Sequence, residues 1–256
     1  MTAQAAPARL VRPDGTTIAY HALSGKPPVV MFCGGFKSDM TGTKALALEA
    51  SCRAEGRGFI RFDYYAHGAS PGDFEQATIG RWKDDTLAVI DEVVQDPLVV
   101  VGSSMGGWMM LLAALARPER VKGLVGVAAA PDFTQELMWP ELSDEARAVL
   151  ARDGVWRRPS QYSDDPYPIT LRLIEEGRDH LVLNRLGGLA CPVRLLHGVQ
   201  DADVPWRHSL RLLEALGGVD VTLTLVKDGD HRLSTPADIA RLCTTVEALC
   251  RQVGQG

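Results

Sequence analysis

An uncharged stretch of 19 residues, 98–116, constrains the fold of this chain more than any other feature of its sequence. Its length is close to that of a membrane-spanning helix. However, residues 98–101 are leucine and valine and favour a strand, whereas residues 102–107 are Gly-Ser-Ser-Met-Gly-Gly and favour a sharp turn. The segment therefore predicts a buried strand, a tight turn and a buried helix, and no membrane span.

Short β-rich runs alternate with helical patterns along most of the chain. The predicted strands cover 16–22, 29–32, 59–63, 98–101, 121–127, 193–196 and 221–226. The predicted helices cover 43–54, 80–94, 106–116, 209–216 and 236–251. This alternation is typical of an α/β fold with a mostly parallel, doubly wound sheet. In such sheets the ligand site lies beyond the carboxyl ends of the strands.

The interval 131–190 interrupts the alternation. Its 60 residues are too many for an ordinary connection in a compact domain, and they contain no clear strand. We therefore predict an α/β core formed by 1–130 and 191–256, with 131–190 as an inserted helical lid. The interval contains two tryptophans and two tyrosines, Trp139, Trp156, Tyr162 and Tyr167. We predict that Trp139 and Trp156 line a substrate pocket. The alternative is that they only attach the lid to the core.

Composition and charge exclude several classes of protein. Hydrophobic residues make up 46% and charged residues 23% of the 256 residues, as in globular domains that need no disulfide or metal. The net charge of −5 and the lack of a Lys/Arg cluster argue against a nucleic-acid partner. The five cysteines show no CxxC spacing, so we expect reduced thiols.

The first 13 residues bear on the cellular compartment. They contain no apolar run of the kind that a secretory signal requires. Their two arginines, Arg9 and Arg12, make a poor mitochondrial presequence, although a processed chain would look the same. We therefore predict a cytoplasmic protein.

Residues 102–106 match Gly-x-Ser-x-Gly, the nucleophile elbow that holds a serine on a strained turn between a strand and a helix. The positions two before and two after the nucleophile must be tiny to avoid collisions. Ser104 has glycine at both, whereas Ser103 would have valine and methionine. The motif alone is common by chance, but the predicted strand and helix supply its context. Ser104 is therefore the candidate nucleophile, the alternative being a mere tight turn.

A serine hydroxyl needs a general base at neutral pH. After this type of elbow, the acid and the histidine follow the serine in chain order. His231 comes directly after the predicted strand 221–226, which places it at the carboxyl edge of the sheet. His197 precedes the best acid and is interpreted as structural, His208 as a helix-face residue and His67 as a residue of loop packing. His231 is therefore the candidate base.

The acid should follow the preceding predicted strand, 193–196. Asp201 lies at the turn that ends this strand, where a carboxylate can orient His231. Asp203 is the alternative, although it could instead cap or orient the loop. Asp63 follows an earlier strand at the same edge, but it precedes the serine and is interpreted as a turn-forming residue. Asp201 is therefore the candidate acid.

Acyl transfer also needs donors for the oxyanion that develops on the substrate. One expected donor is the backbone N–H of Met105, directly after the serine, and the other is that of Phe36. Phe36 follows Gly34 and Gly35 after the predicted strand 29–32, and the alternative is that these glycines form an ordinary loop. No metal-ligand spacing or phosphate-binding glycine loop occurs, so neither a metal nor a cofactor is predicted.

Several stretches together resemble a known family. They are TGTKAL at 41–46, RFDY at 61–64, GSSMGGW at 102–108, ARPE at 116–119, GVW at 154–156, PSQYS at 159–163, CPVRLLHG at 191–198, VPW at 204–206 and DHR at 230–232. At these positions the chain resembles α/β-hydrolases and, more narrowly, the mitochondrial acyl-protein thioesterases and acyl-glucuronide esterases with their bacterial relatives. The resemblance includes the predicted lid.

The resemblance implies an α/β-hydrolase fold and a triad of Ser104, Asp201 and His231, the residues that the spacing also favours. It further implies hydrolysis of S-acyl thioesters or of activated esters such as acyl glucuronides. The implied partner is a small-molecule ester or an acylated substrate, S-acylated proteins included. The resemblance does not extend to the compartment or to the choice of substrate.

A serine hydrolase of carboxylic esters or thioesters is the main functional hypothesis. An acyltransferase or a carbon–carbon bond hydrolase would use the same triad and stays open as an alternative. A non-catalytic binding protein of this fold usually has a broken triad, whereas all three candidates are present here. The sequence does not indicate an oligomeric state.

Overall fold

Ten strands occur in the part of the chain that the computed structural model describes, residues 6–158 and 166–254. They are β1 (Ala8–Val11), β2 (Thr17–Leu23), β3 (Lys26–Cys33), β4 (Arg57–Phe62), β5 (Leu98–Ser103), β6 (Val121–Val127), β7 (Val155–Arg158), β8 (Tyr167–Thr170), β9 (Val193–Gly198) and β10 (Val221–Val226). Eight of them form one sheet in the order β1-β2-β4-β3-β5-β6-β9-β10. β2 pairs antiparallel with β1 and β4, and the other neighbours pair in parallel. The predicted mostly parallel sheet is confirmed.

Eight α-helices occur in the described residues. They are α1 (Thr43–Ala54), α2 (Ile79–Ala88), α3 (Met105–Ala116), α4 (Trp139–Glu141), α5 (Asp144–Asp153), α6 (Leu171–Gly177), α7 (Trp206–Ala215) and α8 (Pro236–Val253). A π-helical turn, Val89–Val93, extends α2 and covers most of the remaining part of the predicted helix 80–94. None of the described helices is both long enough and apolar enough to cross a bilayer.

Alternate side chains of the central strands pack into two apolar clusters, one on each face of the sheet. Val100 of β5 belongs to the same cluster as Trp108 of α3. Its neighbour Val99 belongs to the other cluster, with Leu48 of α1 and Leu242 of α8. Every residue of β5 is buried. Burial on both faces explains why this strand is a continuous apolar run rather than an alternating one.

The insertion, residues 131–190, joins β6 to β9 and differs from the all-helical prediction. It contains α4, α5 and α6, but β7 and β8 also form an antiparallel pair in which Trp156 lies opposite Ile169. Each strand has only four residues, and β8 contains Pro168. Runs this short carry too little alternation to predict a strand. Tyr162, one of the predicted lid aromatics, lies outside the described residues, as does the stretch 159–163.

The insertion shares its apolar core with the sheet. Buried side chains of the insertion join the cluster that contains Trp82 of α2 and Trp108 of α3. They are Phe133, Met138, Leu142, Ala146, Leu150, Ile169, Leu173, Ile174, Val182, Leu186 and Leu189. Polar contacts reinforce this packing. Trp108 donates its Nε1–H to the carbonyl of His180 at 3.0 Å, and Gly80 donates its N–H to the carboxylate of Glu176 at 3.0 Å.

Candidate active site

Ser104 lies on the turn between β5 and α3 and has a strained backbone. Its φ is 55° and its ψ is −121°, a conformation that non-glycine residues rarely adopt. A side chain at Gly102 would collide with the carbonyl of Gly106, and one at Gly106 would collide with the carbonyl of Cys33. The turn therefore requires glycine two residues to either side of Ser104, as the sequence pattern indicated.

The structure brings together the three residues that the sequence singled out as nucleophile, base and acid. The Oγ of Ser104 lies 3.1 Å from Nε2 of His231. On the other side of the ring, Nδ1 lies 2.8 Å from Oδ2 of Asp201. The carboxylate accepts from Nδ1–H, which leaves a lone pair on Nε2 facing the serine hydroxyl.

Asp201 is buried and is held by four hydrogen bonds. Oδ1 accepts the backbone N–H groups of Asp203 at 2.9 Å and Val204 at 2.8 Å. Oδ2 accepts Nδ1–H of His231 and also Nε2–H of His197, the latter at 3.1 Å. Burial alone would raise the pKa of Asp201, but the hydrogen bonds from His197 and His231 outweigh it and hold the pKa below its usual value. The carboxylate therefore stays ionised at neutral pH.

His197 is fully buried in β9 and contacts the acid rather than the serine. Its Nδ1 lies 2.6 Å from Oγ of Ser209, and its Nε2 also lies 2.9 Å from the carbonyl of Val204. His208 is a buried residue of α7 whose Nε2 lies 2.8 Å from the carbonyl of Pro131. Neither histidine is in hydrogen-bond contact with Ser104.

The two rival acids occupy different places. Asp203 is exposed on the cavity wall and contributes its backbone N–H to Asp201. Asp63 is buried after β4, where its carboxylate accepts the N–H groups of Met40 at 2.7 Å and Ala69 at 2.8 Å. Asp63 therefore holds two loops together, which matches its interpretation as a turn-forming residue.

The loop after β3 lies against the elbow. A side chain at Gly35 would lie 3.5 Å from Cβ of Ser104, so the two backbones are close neighbours. Both Phe36 and Met105 line the cavity in front of the serine. Met105 begins α3, so its N–H has no acceptor within the helix. In the described part of the chain, the N–H of Phe36 also has no acceptor.

A cavity of about 560 Å³ opens in front of Ser104 and His231, a size that suits a small-molecule ligand. One wall is apolar and includes Phe36, Phe133, Leu137, Met138, Tyr167 and Ile169. Other residues of the lining are polar and include Lys37, Ser38, Asp39, Lys44, Asp203 and Arg232. Sequence reasoning missed most of the apolar wall, because its residues come from a turn and a short strand that the pattern did not predict.

The structure places Trp139 and Trp156 away from the cavity wall that the sequence analysis assigned to them. The indole of Trp139 lies between two guanidinium groups, with its ring centroid 5.2 Å from Cζ of Arg147 and 5.4 Å from that of Arg178. Trp156 is half-buried in β7 and packs on the apolar cluster. The turn that precedes α4 instead directs Leu137 and Met138 to the cavity.

Two charged features of the cavity also bear on its chemistry. Burial lowers the pKa of Lys44 to about 8, and the charge of Arg232 adds to the effect. Lys44 Nζ donates to the carbonyl of Arg232, the residue after His231. Asp201, Asp203 and His231 each place one possible metal-ligand atom, a carboxylate oxygen or a ring nitrogen, within 4.8 Å of the others. Because both oxygens of Asp201 already accept hydrogen bonds, this cluster is better suited to orienting the imidazole.

His67 is a buried histidine beside the loop that carries Phe36. Its Nδ1 lies 3.1 Å from the carbonyl oxygen of Tyr65, and its Nε2 lies 3.1 Å from the backbone N of Lys37. Burial lowers the pKa of His67 to about 4, and the charge of Lys37 adds to the effect. The ring is therefore neutral at physiological pH.

We expect the free energy of unfolding to fall as the pH falls from about 6.5 to about 4. In this window the unfolded chain, whose histidine pKa is ordinary, binds a proton at position 67 that the folded chain does not bind. The shift corresponds to roughly 3 kcal/mol. Urea unfolding across this range tests it, with His67→Gln as the non-titrating comparison. The decline should be shallower in the variant, and equal slopes would contradict the expectation.

Proteins of known structure and name resemble this chain along most of its length. Palmitoyl-protein thioesterase ABHD10, mitochondrial, from Bos taurus is 43% identical over 243 residues, which cover 94% of this chain and 78% of the bovine protein. The mouse alpha/beta hydrolase domain-containing protein 10 has a TM-score of 0.89 at 39% identity, covering 97% of this chain and 99% of the mouse chain. A putative hydrolase from Agrobacterium vitis S4 has a TM-score of 0.91 at 42% identity, covering 95% of this chain and 97% of the Agrobacterium chain.

The relatives contradict the predicted cytoplasmic location, which is therefore wrong. Mammalian proteins similar to this chain, from cattle, orangutan, human, mouse and rat, are all named mitochondrial. The prediction relied on the lack of an apolar signal and on a weak presequence. An apolar run marks secretory export, whereas mitochondrial presequences are amphipathic and rich in arginine. The lack of an apolar signal therefore says nothing about a mitochondrial location.

The model of the family described as serine aminopeptidase, S33, matches residues 26–236. This span runs from β3 to the first residue of α8 and contains Ser104, Asp201 and His231 in the order expected for the fold. The family match, the extensive identity to named hydrolases and the shared fold agree with one another. The chain belongs to this α/β-hydrolase family and is a serine hydrolase.

Proposed function

We propose that this enzyme hydrolyses carboxylic esters and thioesters through Ser104 as nucleophile, His231 as general base and Asp201 as the orienting carboxylate. The observation that carries the proposal is the continuous line of hydrogen bonds from Ser104 Oγ through the imidazole to Asp201. The strained backbone of Ser104 supports it, because strain of this kind persists at sites that the surrounding structure holds in place.

In the acylation step, Ser104 Oγ attacks the acyl carbon while its proton moves to Nε2 of His231. The ionised Asp201 stabilises the imidazolium that forms. The tetrahedral intermediate then collapses, the bond to the leaving thiol or alcohol breaks, and His231 returns the proton to the leaving group. Water attacks the acyl-enzyme by the same sequence, which releases the carboxylic acid and restores the serine.

The backbone N–H groups of Phe36 and Met105 are our proposed donors to the oxyanion. Their position at the cavity in front of Ser104 supports this role. So does the lack of another acceptor for either group in the described part of the chain. Loss of one such donor typically lowers turnover 10²- to 10³-fold.

The substrates that we propose are S-acyl thioesters, S-acylated proteins among them, and activated esters. Relatives named palmitoyl-protein thioesterase support this class. The apolar wall of the cavity supports an acyl chain as the part of the substrate that is buried, at about 0.8 kcal/mol per methylene. We further propose that the insertion, residues 131–190, acts as the lid over a core formed by 1–130 and 191–256, since it supplies most of the apolar wall.

A fluorophosphonate probe together with a panel of acyl thioesters and oxygen esters tests the proposed function. We expect rapid labelling that Ser104→Ala abolishes and release of free carboxylic acid from both substrate types. Transfer of the acyl group to an added alcohol in preference to water would instead identify an acyltransferase. Failure of the probe to label the folded protein would overturn the proposal.

The apolar wall should determine which acyl chains are accepted. Leu137→Trp fills part of the cavity, so we expect kcat/KM for a decanoyl ester to fall about tenfold or more while that for an acetyl ester changes less than about threefold. The measurement is kcat/KM across a chain-length series. Trp139→Ala is the matched control, because Trp139 packs between arginines. Chain-length selectivity that changes in the control but not in Leu137→Trp would place the acyl chain elsewhere.

A further inference from the structure

His67 contacts the backbone of the loop after β3 at one defined point. Its Nε2 lies 3.1 Å from the N of Lys37, the residue that directly follows Phe36. Its Nδ1 lies 3.1 Å from the carbonyl oxygen of Tyr65. A carbonyl can only accept and a backbone N–H can only donate, so the ring carries its proton on Nδ1 and offers a lone pair from Nε2. The contact with Lys37 needs the neutral form of His67, because a protonated Nε2 could not accept.

Lys37 has an unusual backbone that this contact helps to hold. Its φ is 55°, in the left-handed region that non-glycine residues seldom occupy. Such a conformation persists only where neighbouring groups fix it. The N–H that His67 accepts belongs to the peptide between Phe36 and Lys37. The hydrogen bond therefore opposes rotation of the peptide that adjoins the proposed oxyanion donor.

Ring packing reinforces the same link between His67 and Phe36. The centroid of the His67 ring lies 5.3 Å from that of Phe74 and 5.2 Å from that of Trp82. The Phe36 ring contacts the same two side chains at 5.1 and 5.8 Å. His67 thus holds the main chain beyond Phe36, while the rings that it packs against hold the side chain.

Two neighbours of His67 hold other points of the loop. Tyr64 donates its hydroxyl to the carbonyl of Gly34 at 3.3 Å, and Asp63 accepts the N–H of Met40. The Gly34 carbonyl belongs to the peptide that precedes the one carrying the Phe36 N–H. Within that peptide, the Gly35 carbonyl accepts the backbone N–H and the hydroxyl of Ser38. His67 holds the peptide on the other side, between Phe36 and Lys37.

We propose that His67 is a positioning residue for the oxyanion hole, acting through the peptide between Phe36 and Lys37. The proposal rests on the proposed function of Phe36 and Ser104. It assigns to His67 a part in transition-state stabilisation and no part in binding the substrate ground state. Loss of the acceptor should therefore lower kcat and leave KM nearly unchanged.

Three variants separate this role from simple packing. His67→Gln can keep an oxygen acceptor near the position of Nε2, whereas His67→Asn can donate only to the Tyr65 carbonyl. His67→Phe keeps the ring but removes both hydrogen bonds. Three measurements apply to each: kcat and KM for one ester, the inhibition constant of a trifluoromethyl ketone, and hydrogen exchange of the Lys37 amide followed by NMR. Thermal unfolding identifies the variants that remain folded.

For His67→Asn and His67→Phe we expect kcat to fall about 10- to 100-fold with KM within about threefold. The trifluoromethyl ketone forms an adduct that places an oxyanion in the oxyanion hole. Its inhibition constant should therefore rise by about the same factor by which kcat/KM falls. The Lys37 amide should exchange faster, and His67→Gln should restore all three values to within about threefold of the parent. If one variant fails to fold, the comparison of His67→Gln with the remaining one decides.

Two results would overturn the positioning role. One is an unchanged exchange rate of the Lys37 amide in variants that lack the acceptor. The other is a loss of kcat/KM that comes from a higher KM, or a loss of kcat that His67→Gln does not restore. Failure of the proposed function is distinguishable from both. In that case the parent would hydrolyse neither esters nor thioesters, and the amide exchange of Lys37 would still report whether His67 holds the loop.

Discussion

Replacing Ser104 with alanine is expected to lower kcat for esters and thioesters at least 10³-fold without unfolding the protein. Alanine keeps the Cβ, so the strained turn with a φ of 55° is retained. The hydroxyl that lies 3.1 Å from His231 Nε2 is lost, and with it the only group in our mechanism that can form the acyl-enzyme. The residual rate should reflect the oxyanion donors and substrate binding alone.

Ser103→Ala is the matched control for this experiment, since Ser103 is the adjacent serine and also lines the cavity. Kinetic measurements on both variants should be accompanied by thermal unfolding. We expect Ser103→Ala to retain activity within about tenfold of the parent. Turnover by a folded Ser104→Ala enzyme within tenfold of the parent would remove Ser104 from the mechanism.

Asp201→Asn should lower kcat about 10⁴-fold. Oδ2 of Asp201 accepts from both His231 and His197, and an amide NH₂ at that position could accept from neither. If the amide turns its oxygen toward the histidines, its NH₂ then faces the N–H groups of Asp203 and Val204. Either orientation leaves donors facing donors. In the first, the imidazole loses the tautomer that keeps a lone pair toward Ser104, and in the second the side chain loses the two backbone hydrogen bonds that hold it in place.

Asp203→Asn is the informative comparison, because the sequence left both aspartates as candidates. The contribution of Asp203 to the acid is a backbone N–H, which asparagine retains. We expect a loss of less than about tenfold. A larger loss of kcat in Asp203→Asn than in Asp201→Asn would reverse the assignment of the acid.

The sequence was informative where a strong local constraint left few alternatives. The turn around Ser104 tolerates only glycine at 102 and 106, so the register of the motif could be predicted. The central strands are apolar on both faces, and β6 and β10 have the predicted bounds. Chain order together with the position after a predicted strand then named His231 and Asp201 as candidates for the base and the acid, with Asp203 left as the alternative acid.

Other features depend on contacts between distant segments, and the sequence could not supply them. β7 and β8 are stabilised by their mutual pairing and by packing on the core, since four residues carry little pattern of their own. The same holds for His67, since no pattern in the sequence connects it with Lys37, 30 residues away. Trp139 was a pocket candidate because it is a large aromatic residue. Its size did not predict that it would pack against Arg147 and Arg178 while Leu137 and Met138 line the cavity.

The shared apolar cluster has a consequence for how this enzyme can change. Because Leu150, Ile174 and Val182 of the insertion are buried with Trp82 and Trp108, which belong to helices of the core, the insertion is not a detachable module. It should melt with the sheet in a single cooperative transition, and excising it would expose two tryptophans to water. New substrate preferences are therefore accessible through single side chains at the cavity wall and not through exchange of the whole segment.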